Sequence, residues 1–453
     1  MQRRVVGVSL AQRWLPAAIV VVAACGLRAQ AEDPWRPISI RTLPVAVVMD
    51  HSEDTGMIVD VNPDALTLET LESRALASNP SIDRAAALVS AARGRALQVG
   101  LRPNPEVGFD FQQLGSDGLA EQYGVLIGQE FVRREKLQLN RSAALHEVHR
   151  LEQELAAQRQ RVLTDVRIAY VRALRAKRQL ELTQQLVDIG EQGVNVAKEL
   201  FNAQEVGRAD VLQAELEVES ASILRRNAEN RRVAVWQELS AVVGQQLLQP
   251  QVLAGDITDA GHEVQFVETL LQLQNASPEI AAVLADIQRA RCQLQRQQVE
   301  PRPNVTVVGL INWRDNGIGG DADGGLSMTL PLPLWNKNQG AIREARYQLH
   351  AAERKLGQVE LELKNRLAPV FERYQNASEQ VDRYRDRILP KSAETLELTR
   401  ETYELGEINF VNLLTVQRTY ANNQLAYLDA LEMLRVAEAE IAGMLLSGSL
   451  TSR

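Results

Sequence analysis

The chain has 453 residues, a formal net charge of −8, 45% hydrophobic residues and only 4% aromatics. A net negative charge with no basic face gives no electrostatic footprint for nucleic acid. So few aromatics among abundant Ala, Leu, Gln, Glu and Arg argue against ordinary globular cores and for long helices packed at close range.

The N-terminus reads as an export signal over residues 1–31. Arg3, Arg4 and Arg13 precede an apolar stretch from Leu15 to Ala24, followed by small residues. Two processing sites remain open: Ala29-Gln30-Ala31, with cleavage before Glu32, and the box Val22-Ala23-Ala24-Cys25, which would lipidate Cys25. Beyond the signal no run of about 20 apolar residues occurs, so no transmembrane helix is expected. Residues 32–63 carry Pro34, Pro37, Pro44 and Pro63 without periodicity and read as an extended leader.

From there the chain repeats itself. Asn79-Pro80-Ser81-Ile82 is answered by Ser277-Pro278-Glu279-Ile280, and Pro103-Asn104-Pro105 by Pro301-Arg302-Pro303. Val206-Gly207-Arg208 is likewise paired with Leu405-Gly406-Glu407. A period of about 200 residues marks a duplicated domain-sized unit, not a solenoid. The units are assigned to 64–247 and 263–446, with a linker at 248–262 and a tail at 447–453.

Each unit opens with a short helix, Asp64 being the expected cap of the first. A second helix follows, which Pro80 starts and which runs to about Gly100; proline is favourable at a first helical position. Strands are expected at about 105–113 and 122–131, and at about 304–313 and 325–333. Val107, Phe109 and Phe111 alternate with Gly108 and Asp110, and Tyr123, Val125 and Ile127 share one parity. In the second unit Val305, Val307, Ile311 and Trp313 share one parity, as do Leu326, Met328, Leu330 and Leu332. Loops at Gly115-Ser116-Asp117-Gly118 and Asp315–Gly325 join the strands. Runs of nine to ten residues suit tilted strands that cross a bilayer. A half-buried soluble sheet shows the same alternation. Four strands cannot close a barrel, and an open edge is not tolerated in lipid, so several copies would have to share one.

Long helices follow at about 135–204 and 338–404. Val162, Val166, Ala169, Ala173, Ala176, Leu180, Thr183 and Val187 recur at coiled-coil spacing, as do Ile342, Ala345, Leu349, Ala352, Leu356, Val359 and Leu363. Some 70 residues give a helix of about 105 Å. Returning helices are expected at about 209–243 and 409–446. Gly190, Gly193, Pro369 and Pro390 interrupt the pattern; a bend or widening is expected near Pro390 and a kink at Pro369.

Catalysis has little support. His146 and His149 can share a helix face but lack a third ligand, and no phosphate-binding loop or nucleophile motif stands out. Cys292 reads as a small buried residue. No cofactor and no metal site are expected.

The layout resembles the TolC-type outer-membrane efflux proteins over about residues 64–446. The match is carried by the duplication and by Arg102-Pro103-Asn104-Pro105 and Pro301-Arg302-Pro303-Asn304. It is carried also by Pro331-Leu332-Pro333-Leu334-Trp335-Asn336-Lys337-Asn338-Gln339-Gly340 and by the turns after Val206 and Leu405. The Pro-Leu-Pro-Leu segment is most similar to the heavy-metal export branch. The resemblance implies an α+β homotrimer with a twelve-stranded barrel in outer-membrane lipid and a long periplasmic helical tunnel. It implies passive conduction from a periplasmic adaptor and an inner-membrane pump, often of the resistance-nodulation-division type. Gly207, Arg208, Asp210, Gly406, Glu407 and Asn409 would lie at the periplasmic tip where adaptors dock, with Asp210 and Asn409 placed to cap helices. Acidic gate positions of some relatives fall on Asn412 and Thr415, which puts a carboxylate gate in doubt. The alternative is a periplasmic coiled-coil adaptor or structural protein without a channel.

Overall fold

The computed structural model describes residues 65–112, 122–245, 251–259, 264–313 and 322–451. The signal, the leader, Cys25, Asp64, the 115–118 loop and most of the 315–325 loop lie outside the described residues.

The first unit begins with α1 (Leu68–Ser78) and α2 (Pro80–Gln98), the second with α5 (Phe266–Ala276) and α6 (Pro278–Val299). The same local chemistry builds both junctions. Asn79 Oδ1 accepts the Ser81 N–H at 2.9 Å and Ser277 Oγ accepts the Glu279 N–H at 3.3 Å. Pro80 and Pro278 follow those caps, where a missing N–H costs nothing. At α1 the cap is Thr67, whose hydroxyl accepts the Thr70 N–H, so the helix starts three residues after the expected Asp64.

Four strands follow these helices: β1 (Glu106–Gln112), β2 (Gln122–Phe131), β3 (Val305–Asn312) and β4 (Asp323–Thr329). They form one antiparallel sheet in the order β1-β2-β3-β4, so the two units pair through β2 and β3 and leave β1 and β4 as edges. β4 ends at Thr329, not near 333. Pro331 and Pro333 have no N–H for a ladder, which leaves Leu330 and Leu332 outside the sheet.

α3 (Arg134–Asn202) runs 69 residues without a break, about 104 Å. Its counterpart is segmented into α7 (Gln339–Arg383), a π turn over Tyr384–Ile388 and α8 (Leu389–Glu404). In the π turn the Leu389 N–H reaches back five residues to the Tyr384 carbonyl. This widening lies immediately before Pro390, which removes one helical donor. Pro369, by contrast, sits inside α7 with helix assigned on both sides.

The returning helices are α4 (Arg208–Val243) and α9 (Phe410–Ala442). The end of α4 meets the α1–α2 junction: Ser78 Oγ donates to the Val243 carbonyl at 2.8 Å and Asn79 Nδ2 to the Val242 carbonyl at 2.7 Å. Gly244 makes the join possible. Its φ is +84°, and a Cβ there would stand 2.6 Å from the Ser78 carbonyl oxygen. α2 and α4 together thus run alongside α3.

The largest apolar core lies at mid-height, where α1, α3, α4, α7 and α9 converge on Leu71, Val162, Val166, Leu239, Leu367 and Leu431. The tail is fastened there: the Asp165 carboxylate accepts the Gly448 N–H at 3.0 Å and the Ser449 N–H at 2.6 Å. Cys292 is half-buried rather than buried, and burial pushes its thiol pKa up.

Candidate functional site: paired helical turns and a two-faced sheet

At the end remote from the sheet, α3 turns into α4 and α8 into α9. Both helices close with the same backbone pattern. The Gln204 N–H bonds to the Phe201 carbonyl and the Glu205 N–H to the Leu200 carbonyl; Gly406 bonds to Tyr403 and Glu407 to Thr402 in the same way. The residue in left-handed conformation is Gly406 (φ +72°) in one turn and Gln204 (φ +64°) in the other. The structural partner of Gly406 is therefore Gln204. Gly207, with φ −83°, is the N-cap of α4 and the counterpart of Asn409, the N-cap of α9. The pairing of Gly207 with Gly406 is thus corrected by three residues. Glycine marks a left-handed residue in one turn and an extended cap in the other.

With the turns aligned, Asn409 caps α9 as expected, whereas Asp210 stands at the third helical position of α4, behind the cap Gly207. The Asp210 carboxylate accepts the Gly207 N–H at 3.1 Å, while Asn409 Oδ1 accepts the Asn412 N–H at 3.1 Å. Each turn therefore carries one half of a reciprocal capping box. Asp210 also places negative charge at a helix N-terminus, which is favourable. Arg208, Glu407, Asn409, Asn412 and Thr415 are exposed and Asp210 is half-buried. Thr415 donates its hydroxyl to the Val411 carbonyl one turn back. The two turns are adjacent: a Cβ on Gly406 would stand 3.5 Å from Glu205 Oε2.

Beneath them a small core unites all four helices through Val194 and Ala197, Ala214, Tyr403, and Phe410, Leu413 and Leu414. Tyr403 packs edge-on to Phe410, with ring centres 5.7 Å apart. Burial, and next the charge of Asp210, raise its phenol pKa. Ion pairs Lys198–Glu215 (3.1 Å) and Arg418–Glu217 (2.8 Å) flank the core. Tyr403 and Gln204 are missing from the residues singled out in the sequence. A Tyr three positions before Gly406 was the available signal for the first, whereas Gln204 gave none.

At the opposite end the register sorts side chains by face. Val107, Phe109 and Phe111, Tyr123, Val125, Ile127, Gln129 and Phe131, Val305, Val307 and Ile311, and Leu326 and Met328 share one face. Gln129 is its one polar side chain, and Phe109 is 74% and Leu326 80% exposed. Aromatics gather at its outer end, where Phe111 meets Tyr123 edge-to-face at 5.9 Å and the Trp313 N–H bonds to the Tyr123 carbonyl. From Tyr123 to Phe131 the band spans about 27 Å along the strand. An outward apolar band about 25 Å tall between aromatic girdles is the pattern of a lipid-facing barrel strand.

The other, more polar face carries Glu106, Asp110, Glu130 and Asp323 with Leu126, Val308 and Leu310 between them, and the described strand residues include no Lys or Arg. One transverse row there is Asp110–Gly124–Asn312–Asp323. Asn304 Nδ2 donates to Glu130 Oε1 at 2.8 Å nearer the helices. Among the described residues no group of three or more His, Cys, Asp or Glu is placed to hold a metal ion.

A family model described as outer membrane efflux protein matches residues 71–245 and 270–445. The cobalt-zinc-cadmium resistance protein CzcC of Cupriavidus metallidurans is 22% identical over 366 residues, covering 81% of this chain and 86% of CzcC. Among solved structures, a crystal structure of CusC matches with a TM-score of 0.71 at 16% identity, covering 84% of this chain and 92% of that one. The open-state MtrE outer membrane channel of Neisseria gonorrhoeae gives 0.69 at 17% identity, covering 84% and 89%. At such identities the likeness shows a shared fold. Matched over both of its halves, the chain belongs to the outer membrane efflux protein family, whose members are outer-membrane channels for efflux.

Proposed function

We propose that this chain forms the exit duct of a tripartite efflux system, as a homotrimer that closes one twelve-stranded barrel in the outer membrane above a helical tunnel. The observation that carries this reading is the sheet. Its apolar face is exposed, and β1 and β4 each keep an unpaired edge. Lipid tolerates neither an open edge nor an unsatisfied backbone, so β4 of one copy pairs with β1 of the next. The paired turns then form the periplasmic tip, where Gly207, Arg208, Asp210, Gly406, Glu407 and Asn409 meet a periplasmic adaptor. Through the adaptor the duct receives cargo from an inner-membrane pump of the resistance-nodulation-division type. Asn412 and Thr415 lie at the level of the gate, and neither supplies a carboxylate there.

Heavy-metal cations are the proposed cargo, supported by the similarity to a cobalt-zinc-cadmium resistance protein and by the Pro331–Gly340 segment. The test is export from cells that carry a matching adaptor and pump but lack their duct. Supplying this chain should restore resistance to zinc, cobalt or cadmium and lower the retained metal. Retention unchanged for all three metals would refute the cargo assignment.

A further inference from the structure

The outer end of the sheet's polar face is built from oxygen. In the row Asp110–Gly124–Asn312–Asp323, Asn312 is only 5% exposed and its Oδ1 has no hydrogen-bond partner. That oxygen occupies the space a Cβ on Gly124 would take, so the amide reaches along the row toward Asp110. A buried carbonyl oxygen without a donor is costly and calls for a water or an ion. Carboxylate and amide oxygens are the ligands of hard divalent cations. The row contains no thiolate or imidazole, so its hold on a softer metal would be weak. Weak holding suits a conduit, in which an ion must leave as readily as it enters.

We propose that Asp110, Asn312 and Asp323 form a cation-coordinating row at the outer mouth of the barrel, which admits divalent cations in preference to anions. This rests on the exit-duct reading, because only a barrel closed by several copies turns the polar face into a lumen. In that barrel β4 of one copy lies beside β1 of the next, so Asp323 and Asp110 border the same junction. Charge selection then sits at the mouth, while the two gate-level positions carry the uncharged Asn412 and Thr415.

The experiment is current measurement on the full-length protein in planar bilayers under a KCl gradient, with MnCl2 as the divalent probe. The wild type should pass K+ over Cl−, and Mn2+ should reduce the K+ current. Asp110→Asn combined with Asp323→Asn should lower the cation-to-anion permeability ratio about tenfold, the low end of the enrichment that a like-charged cleft gives, and abolish the Mn2+ effect. Asn312→Asp should shift both readouts the other way, so the row stays testable if the double variant fails to assemble. Wild-type selectivity in either variant overturns the row. Channels that conduct without ion preference overturn it while leaving the duct intact; a wild-type protein that forms no channels removes the duct reading itself.

Discussion

A single arginine on the sheet should discriminate its two faces. The row Val107–Ile127–Gly309–Leu326 is the middle of five on the apolar face, with Phe131 at one end and Tyr123 at the other. Leu326 is 80% exposed and Gly309 beside it offers no side chain, so an arginine at 326 has nothing to hide behind. At a bilayer midplane Leu326→Arg should cost about 2–4 kcal/mol per copy. That is about 30- to 700-fold in the equilibrium constant for assembly at 1.4 kcal/mol per decade, and it applies once per copy in a shared barrel. Ser327→Arg, one residue away, points to the polar face beside Val308 and should assemble normally. The assay is the amount of protease-resistant protein in outer-membrane fractions. Equal loss in both variants, or in neither, would refute the assignment of faces.

Four further outcomes follow from the helices. Gly406→Ala should destabilise the tip by about 1 kcal/mol or more, because alanine resists a positive φ, whereas Gln204→Gly should stabilise it by about 0.5 kcal/mol; hydrogen exchange across both turns separates the two. Asn409→Ala should cost about 0.5–2 kcal/mol as a lost cap and Asp210→Ala about 0.3–1 kcal/mol as a lost charge at a helix N-terminus, with Asp210→Asn milder, read from the same exchange rates. Leu363, fully buried against α6, should cost about 2–5 kcal/mol when changed to Ala, seen as a lower melting temperature. The hydrogen bond from Arg150 holds the Glu147 carboxyl below its ordinary pKa. Its stabilisation is therefore present above that ordinary value and is lost as pH falls through the folded-state pKa, so Glu147→Gln should flatten the acid limb of a melting-temperature profile.

Much of the architecture was legible because it depends on local rules. Alternation in Val107–Phe111 and Tyr123–Ile127 assigns a face before any partner strand is known. Asn79-Pro80 and Ser277-Pro278 announce helix starts through cap chemistry. What was not legible depends on tertiary context. Gly207 and Gly406 are both glycines beside a turn, yet only one needs its conformational freedom, and Gln204 adopts a left-handed backbone that its sequence does not advertise. Leu330 and Leu332 keep the strand parity but fall where two prolines end the ladder. Asn312 lies off the apolar parity of its strand and carries no motif of its own. Its meaning came from the register, which sets it across Gly124 from Asp110.

The most direct test of the account is the mass of the full-length protein extracted from native membranes in mild detergent. The account predicts an outer-membrane protein that needs detergent and contains three copies of the chain, with its apolar sheet face covered. A monomer that stays soluble without detergent would contradict it, since the exposed band and the two open sheet edges would then face water in a single chain.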